Sequence, residues 1–142
     1  MHPDIDGASC PLFSESICPG GFDRKILLHR PPQDAVVLSG IATFDIANIQ
    51  MSNTVGFPMG YDVHELKEPL ELASLDGTIV NGEPHIHGVV GNGNKTWAGH
   101  LLDGCRILYL GEVVIQEMLC EPLIRIADEN GVFLISRKRE IN

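Results

Sequence analysis

Glycine-centred turn pairs recur through the second half of this chain at intervals too short for helices. Asp76-Gly77, Asn81-Gly82, Gly91-Asn92-Gly93-Asn94, Asp103-Gly104 and Glu129-Asn130-Gly131 each follow or precede a short apolar run. Asn-Gly and Asp-Gly supply the positive φ angles of tight hairpin turns. The runs between them, His85 to Val90, Thr96 to Leu102, Leu123 to Ala127 and Val132 to Ser136, have the length and β-branched content of strands. Ala35 to Phe44 reads as a buried strand. Val63 to Leu66 and Glu68 to Ser74 read as two arms around Pro69 or as one bulged strand. Arg106 to Met118 reads as a long strand bent near Gly111. Asp45 to Gly60 is weakly patterned. The expected fold class is α+β, a mainly antiparallel sheet with few short helices.

The domain organisation follows the same punctuation. Residues 1–21 end in Cys18-Pro19-Gly20-Gly21 and read as an irregular N-terminal arm. Residues 22–137 form one domain, and 138–142 a C-terminal tail. No apolar stretch approaches the length of a membrane span. MHPDIDGASC lacks the basic and apolar segments of a secretory signal. The expected location is therefore cytoplasmic, with no membrane partner. Cys10, Cys18, Cys105 and Cys120 form no Cys-x-x-Cys pair, so they are expected as free thiols, with Cys105 and Cys120 in the core.

Ten Lys and Arg stand against nineteen Asp and Glu, a net charge of −9. Duplex DNA is bound by displacing its counterions with cationic side chains, so this balance disfavours nucleic acid as a partner. The single basic cluster is Arg137-Lys138-Arg139, beside Glu140.

The chemistry is concentrated in His85-Ile86-His87 and Ala98-Gly99-His100. Strand residues two apart share a face, so His85 and His87 emerge together. Whether Asn92-Gly93 forms a two-residue turn or Gly91 to Asn94 a four-residue loop, His85 is expected directly opposite His100, with His87 its diagonal neighbour. Directly opposed residues have Cβ atoms ~4.5–5.5 Å apart. Three converging imidazoles suit a divalent metal, with zinc the expected ion and one coordination position left open. Glu71, Glu83 and Glu112 are candidate carboxylates around such a site, with Glu71 or Glu112 as the acid/base group. Each also fits a solvent-facing strand position. His2, His29 and His64 join no cluster.

Leu38-Ser39-Gly40-Ile41, Leu70 to Gly77, Pro84-His85-Ile86-His87, Ala98-Gly99-His100-Leu101 and Glu112-Val113-Val114-Ile115 occur in one order at close spacing. In this order they resemble the plants-and-prokaryotes conserved (PPC) domain over about residues 35 to 136. The resemblance implies an α+β fold similar to that of acetolactate decarboxylase, a homotrimer, and a metal held by His85, His87 and His100. Two kinds of role follow: lyase or hydrolase chemistry on a small carbonyl or ester substrate, or non-catalytic ligand sensing. A third, DNA-binding regulation, is attached to the family through its plant members, whose AT-hook is missing here. Family members usually place a helix before the Leu-Ser-Gly strand. Pro31-Pro32 leaves no room for one between residues 30 and 35.

Overall fold

The computed structural model describes residues 32–138. The N-terminal arm, the segment from Phe22 to His29, Cys10, Cys18, His2, His29 and residues 139–142 lie outside the described residues. Eight strands run in chain order: β1 (Ala35–Ser52), β2 (Tyr61–Leu66), β3 (Leu70–Val80), β4 (Glu83–Gly91), β5 (Thr96–Leu101), β6 (Arg106–Glu117), β7 (Leu123–Ala127) and β8 (Phe133–Arg137). All pairings are antiparallel. Among the described residues there is no helix, so the expected short helices are not found there, and none is long and apolar enough to cross a membrane. The physical reason is the β-branched content and the largely period-two burial of the runs, which holds even along the 18 residues of β1.

β1 organises the molecule. Its first half pairs with β3 on one edge and β6 on the other. Its second half pairs with β2 and, through Ile49 and Gln50, with β5. Because β3, β4 and β5 are themselves consecutive neighbours, the ring β1-β3-β4-β5 closes on itself as a small barrel. β2 and β6 flank β1 outside that ring, and β7 and β8 form a separate two-stranded hairpin. Closure gives the barrel one inner face. Val37, Phe44, Ala47, Ile49, Leu72, Leu75, Ile79, Ile86, Val90 and Leu101 fill it, all buried.

Several sequence expectations need correcting. β1 continues without a break through Asp45 to Ser52, the segment read as weakly patterned. Asn48 and Gln50 interrupt the apolar pattern because they alternate with buried Ala47 and Ile49 across the sheet. Asp76-Gly77 is not a turn. β3 runs straight through it, and the reversal falls at Asn81-Gly82, with φ of 53° and 79°. Gly77 is there for close approach: a Cβ on it would lie 2.3 Å from the His85 carbonyl oxygen and 2.8 Å from Ile86 Cα. β6 does run as one bent strand. Its register against β1 slips between Ala42 and Phe44, where the Tyr109 and Leu110 amides donate to the Thr43 hydroxyl at 3.1 and 3.4 Å. Cys105 is half-buried against the core, whereas Cys120 is exposed because β6 ends before it.

Candidate metal centre

The β4–β5 hairpin carries all three histidines on its outer face. Ile86, Gly88, Val90 and Leu101 alternate with them and point into the barrel. The register differs from the sequence expectation by two residues. His100 is paired with His87, not with His85. The cause lies in the turn. Asn92 Oδ1 accepts hydrogen bonds from the amides of Asn94 and Lys95 at 2.9 and 3.0 Å, and the Asn92 amide donates to the Lys95 carbonyl at 3.0 Å. That geometry closes the hairpin around Gly93-Asn94, one residue later than Asn92-Gly93. A shift of two preserves the face of every side chain, so the cluster survives the correction.

The cluster is compact. His85 Nε2 and His87 Nε2 are 3.3 Å apart. The His85 and His100 rings meet edge-on with centroids 4.5 Å apart, and His87 and His100 lie at 5.5 Å. One nitrogen from each of the three rings can be chosen so that all lie within 4.8 Å of one another. Two nitrogens held ~2.0–2.1 Å from one tetrahedral ion are ~3.3–3.4 Å apart, which is the His85–His87 spacing. Burial, and then the neighbouring His100, hold the His85 pKa below the ordinary imidazole value. Burial, and then His87, do the same at His100. Both rings are thereby biased toward the neutral form, the one that ligates a metal. The Ile86 main chain pulls the other way on His100. Even so, the buried His100 Nδ1 makes no hydrogen bond of standard geometry. Donor set and spacing fit a divalent metal.

The neighbouring strands supply the surroundings. On one side β3 sets Asp76 opposite His87 and Thr78 opposite His85. On the other, β1 sets Gln50 opposite His100. Asp76 accepts a hydrogen bond from the Ser74 hydroxyl at 3.0 Å. Two glycines allow this flanking. Gly77 admits β4 against β3, and at Gly99 a Cβ would lie 2.4 Å from the Gln50 carbonyl oxygen of β1. Sequence reasoning passed over Asp76 and Thr78 because Asp76-Gly77 reads as a turn, and Gln50 because only the long-range β1–β5 pairing places it here.

The three candidate carboxylates are exposed and are not gathered with the histidines in one protomer. Glu71 is paired with Gly91, four residues along β4 from His87, ~13 Å at the rise of a strand. Glu112 is paired with Ile41 on the β6 side of β1. Glu83 opens β4 opposite Val80. His64, in β2 opposite Ile49, is also outside the cluster.

A closed antiparallel barrel with three histidines on one hairpin defines a class of candidate metal-binding β-domains. The sequence matches the Plants and Prokaryotes Conserved (PCC) domain over residues 26–119, and the chain belongs to that family. A metal-containing protein from Archaeoglobus fulgidus is 30% identical, with a TM-score of 0.58 over 70% of this chain and 72% of that one. A plant- and prokaryote-conserved protein from Pyrococcus horikoshii is 27% identical, with a TM-score of 0.60 over 76% of each chain. Among curated proteins, the bifunctional protein GlmU of a Synechococcus strain is 29% identical over 95 residues. That match covers 66% of this chain but only 14% of the GlmU length.

Proposed function

We propose that this PCC-domain protein binds a divalent metal, zinc by donor preference, through His85, His87 and His100, and acts on or senses a small oxygen-rich molecule there. The observation that carries this reading is the 3.3 Å spacing of the His85 and His87 Nε2 atoms, with His100 alongside. Three imidazoles leave a coordination position free for a ligand. A metal held this way supplies Lewis acidity toward a carbonyl or ester oxygen, the basis of lyase or hydrolase chemistry. The chain's own contribution is rigidity and charge. Barrel packing under Ile86 and Leu101 fixes the hairpin, and desolvation biases His85 and His100 toward the neutral form. Within one protomer Glu71 and Glu112 stand too far away to move a proton at the cluster, so an acid/base role for either would need a second copy of the chain.

A homotrimer fits the distribution of apolar side chains. Leu38, Ile41, Tyr109, Leu110 and Val114 face outward from β1 and β6, and Phe133, Leu134 and Ile135 from β8. Outward apolar side chains in such number mark surfaces that associate. DNA binding draws no comparable support, given the net charge of −9.

The deciding experiment is elemental analysis of untagged protein beside His87→Ala and His100→Ala. About one zinc per chain in the native protein, lost in both variants, supports the reading. A native protein purified metal-free that also takes up none from zinc-containing buffer refutes it. Chelation then separates the two roles: an enzyme loses turnover, while a sensing module loses only thermal stability.

A further inference from the structure

Among the described residues one cation approaches the histidine cluster, and it comes from outside the barrel. Arg125 lies at the centre of β7, in a hairpin that mostly turns apolar side chains outward. Its Nη2 donates to the Thr78 hydroxyl at 2.8 Å and, at 3.4 Å, to the Thr78 carbonyl. Thr78 is the directly opposed neighbour of His85. Opposed residues share a face, so the guanidinium is seated beside the His85 ring. It is half-buried, and among the described residues no carboxylate lies within ion-pair distance of it. Both of its described bonds use Nη2, which leaves Nε and Nη1 without a described acceptor. A partly desolvated cation with unused donors is costly unless an anion meets it. Among the described residues the carboxylate whose charge reaches Arg125 is Glu83, and it forms no ion pair with it.

Resting on the metal-site reading above, we propose that Arg125 is an anion-binding residue of the three-histidine site, and that the site takes a small carboxylate carrying a second oxygen that reaches the histidine-held metal. The guanidinium fork matches the two oxygens of a carboxylate. Its charge is felt at both His85 and His100, consistent with a position on the rim of the cluster. A monoanion suits the surroundings better than a phosphate dianion. Asp76 opposite His87 and Glu83 at the start of β4 would repel the second charge, as would the net charge of the chain. The arrangement also explains how so acidic a protein could recruit an acidic ligand.

The test is isothermal titration of the zinc-loaded full-length chain with glycolate, its uncharged analogue glycolamide, and inorganic phosphate, with zinc content measured for every sample. The native protein should bind glycolate at least about tenfold more tightly than glycolamide, and more tightly than phosphate. Arg125→Gln, which retains a donor for Thr78, should bring glycolate and glycolamide to within about twofold with zinc content unchanged. Thr78→Val, which keeps the charge but removes its anchor, should narrow the gap while retaining zinc, and it serves if the arginine variant does not fold. An arginine that only ties β7 to β3 would leave the preference intact in Arg125→Gln, and that result overturns the proposal. So does tighter binding of phosphate, or equal binding of glycolate and glycolamide by native protein that holds zinc. A native protein that holds no zinc overturns the metal reading instead.

Discussion

Two of the molecule's hairpins, β4–β5 and β7–β8, are built on the same local plan and held in place by different physics. β4–β5 is clasped between β3 and β1, its inner side chains buried in the barrel. β7–β8 makes no strand pairing with the barrel and leaves Ile126, Phe133, Leu134 and Ile135 about half exposed or more. It is tied on by polar contacts. Asp34, itself buried, accepts from the Asn81 amide at 2.9 Å through Oδ1 and from the Leu123 amide at 3.2 Å through Oδ2, and Arg125 reaches Thr78. Hydrophobic burial makes the first hairpin a rigid platform for ligands. The second is steered by a few directional bonds and leaves much of its apolar surface exposed. Rigidity at the histidines and adjustability at Arg125 are thus divided between separate elements.

The comparison can be broken most severely from inside the barrel. Phe44→Ala should cost ~3–5 kcal/mol, the usual range for emptying an aromatic site in a core. Chemical denaturation would record it as loss of the whole fold. Gly77→Ala should come next. Its Cβ meets main-chain atoms of His85 and Ile86, so β4 must shift, and zinc retention should fall together with the melting temperature. Asp34→Asn should act on the other hairpin. It sets an amide NH₂ against a main-chain donor at Asn81 or Leu123 and should cost ~1–3 kcal/mol. Hydrogen exchange should then quicken in β7–β8 while β4–β5 remains protected. If both hairpins loosen equally, the division between them is wrong.

The smallest effect belongs to the outer pair of Asp45 and Arg106, joined at 2.6 Å and substantially solvent-exposed. The Arg106 hydrogen bond holds the Asp45 carboxyl below its ordinary pKa. A carboxylate with a lowered folded-state pKa stabilises the protein fully above its unfolded value and loses that contribution as the pH falls through the folded value. Asp45→Asn should therefore cost under ~1 kcal/mol at pH 7. The difference from native protein should vanish in strong acid, as read from melting temperatures across pH.

Much of this was legible in the residues. Asn81-Gly82 marks a real turn, β4 through β8 begin and end close to the expected positions, and the three histidines do share a face. The failures have identifiable causes. Glycine serves both tight turns and close strand approach, and Asp76-Gly77 looks alike in either use. The two-residue slip opposite His100 came from side-chain bonds of Asn92, which a turn dipeptide does not reveal. The length of β1 was hidden because Asn48 and Gln50 alternate with buried Ala47 and Ile49 in its second half. Arg125 was invisible as a site residue, since only the folded chain carries β7 across to Thr78.

Because one hairpin supplies all three imidazoles, the proposed ligands are also neighbours along the chain. Closing so short a loop has a small entropic cost even in the denatured ensemble. An unfolded molecule should therefore keep part of its hold on zinc, and the ion should raise the unfolding free energy by less than its affinity for the native protein would imply.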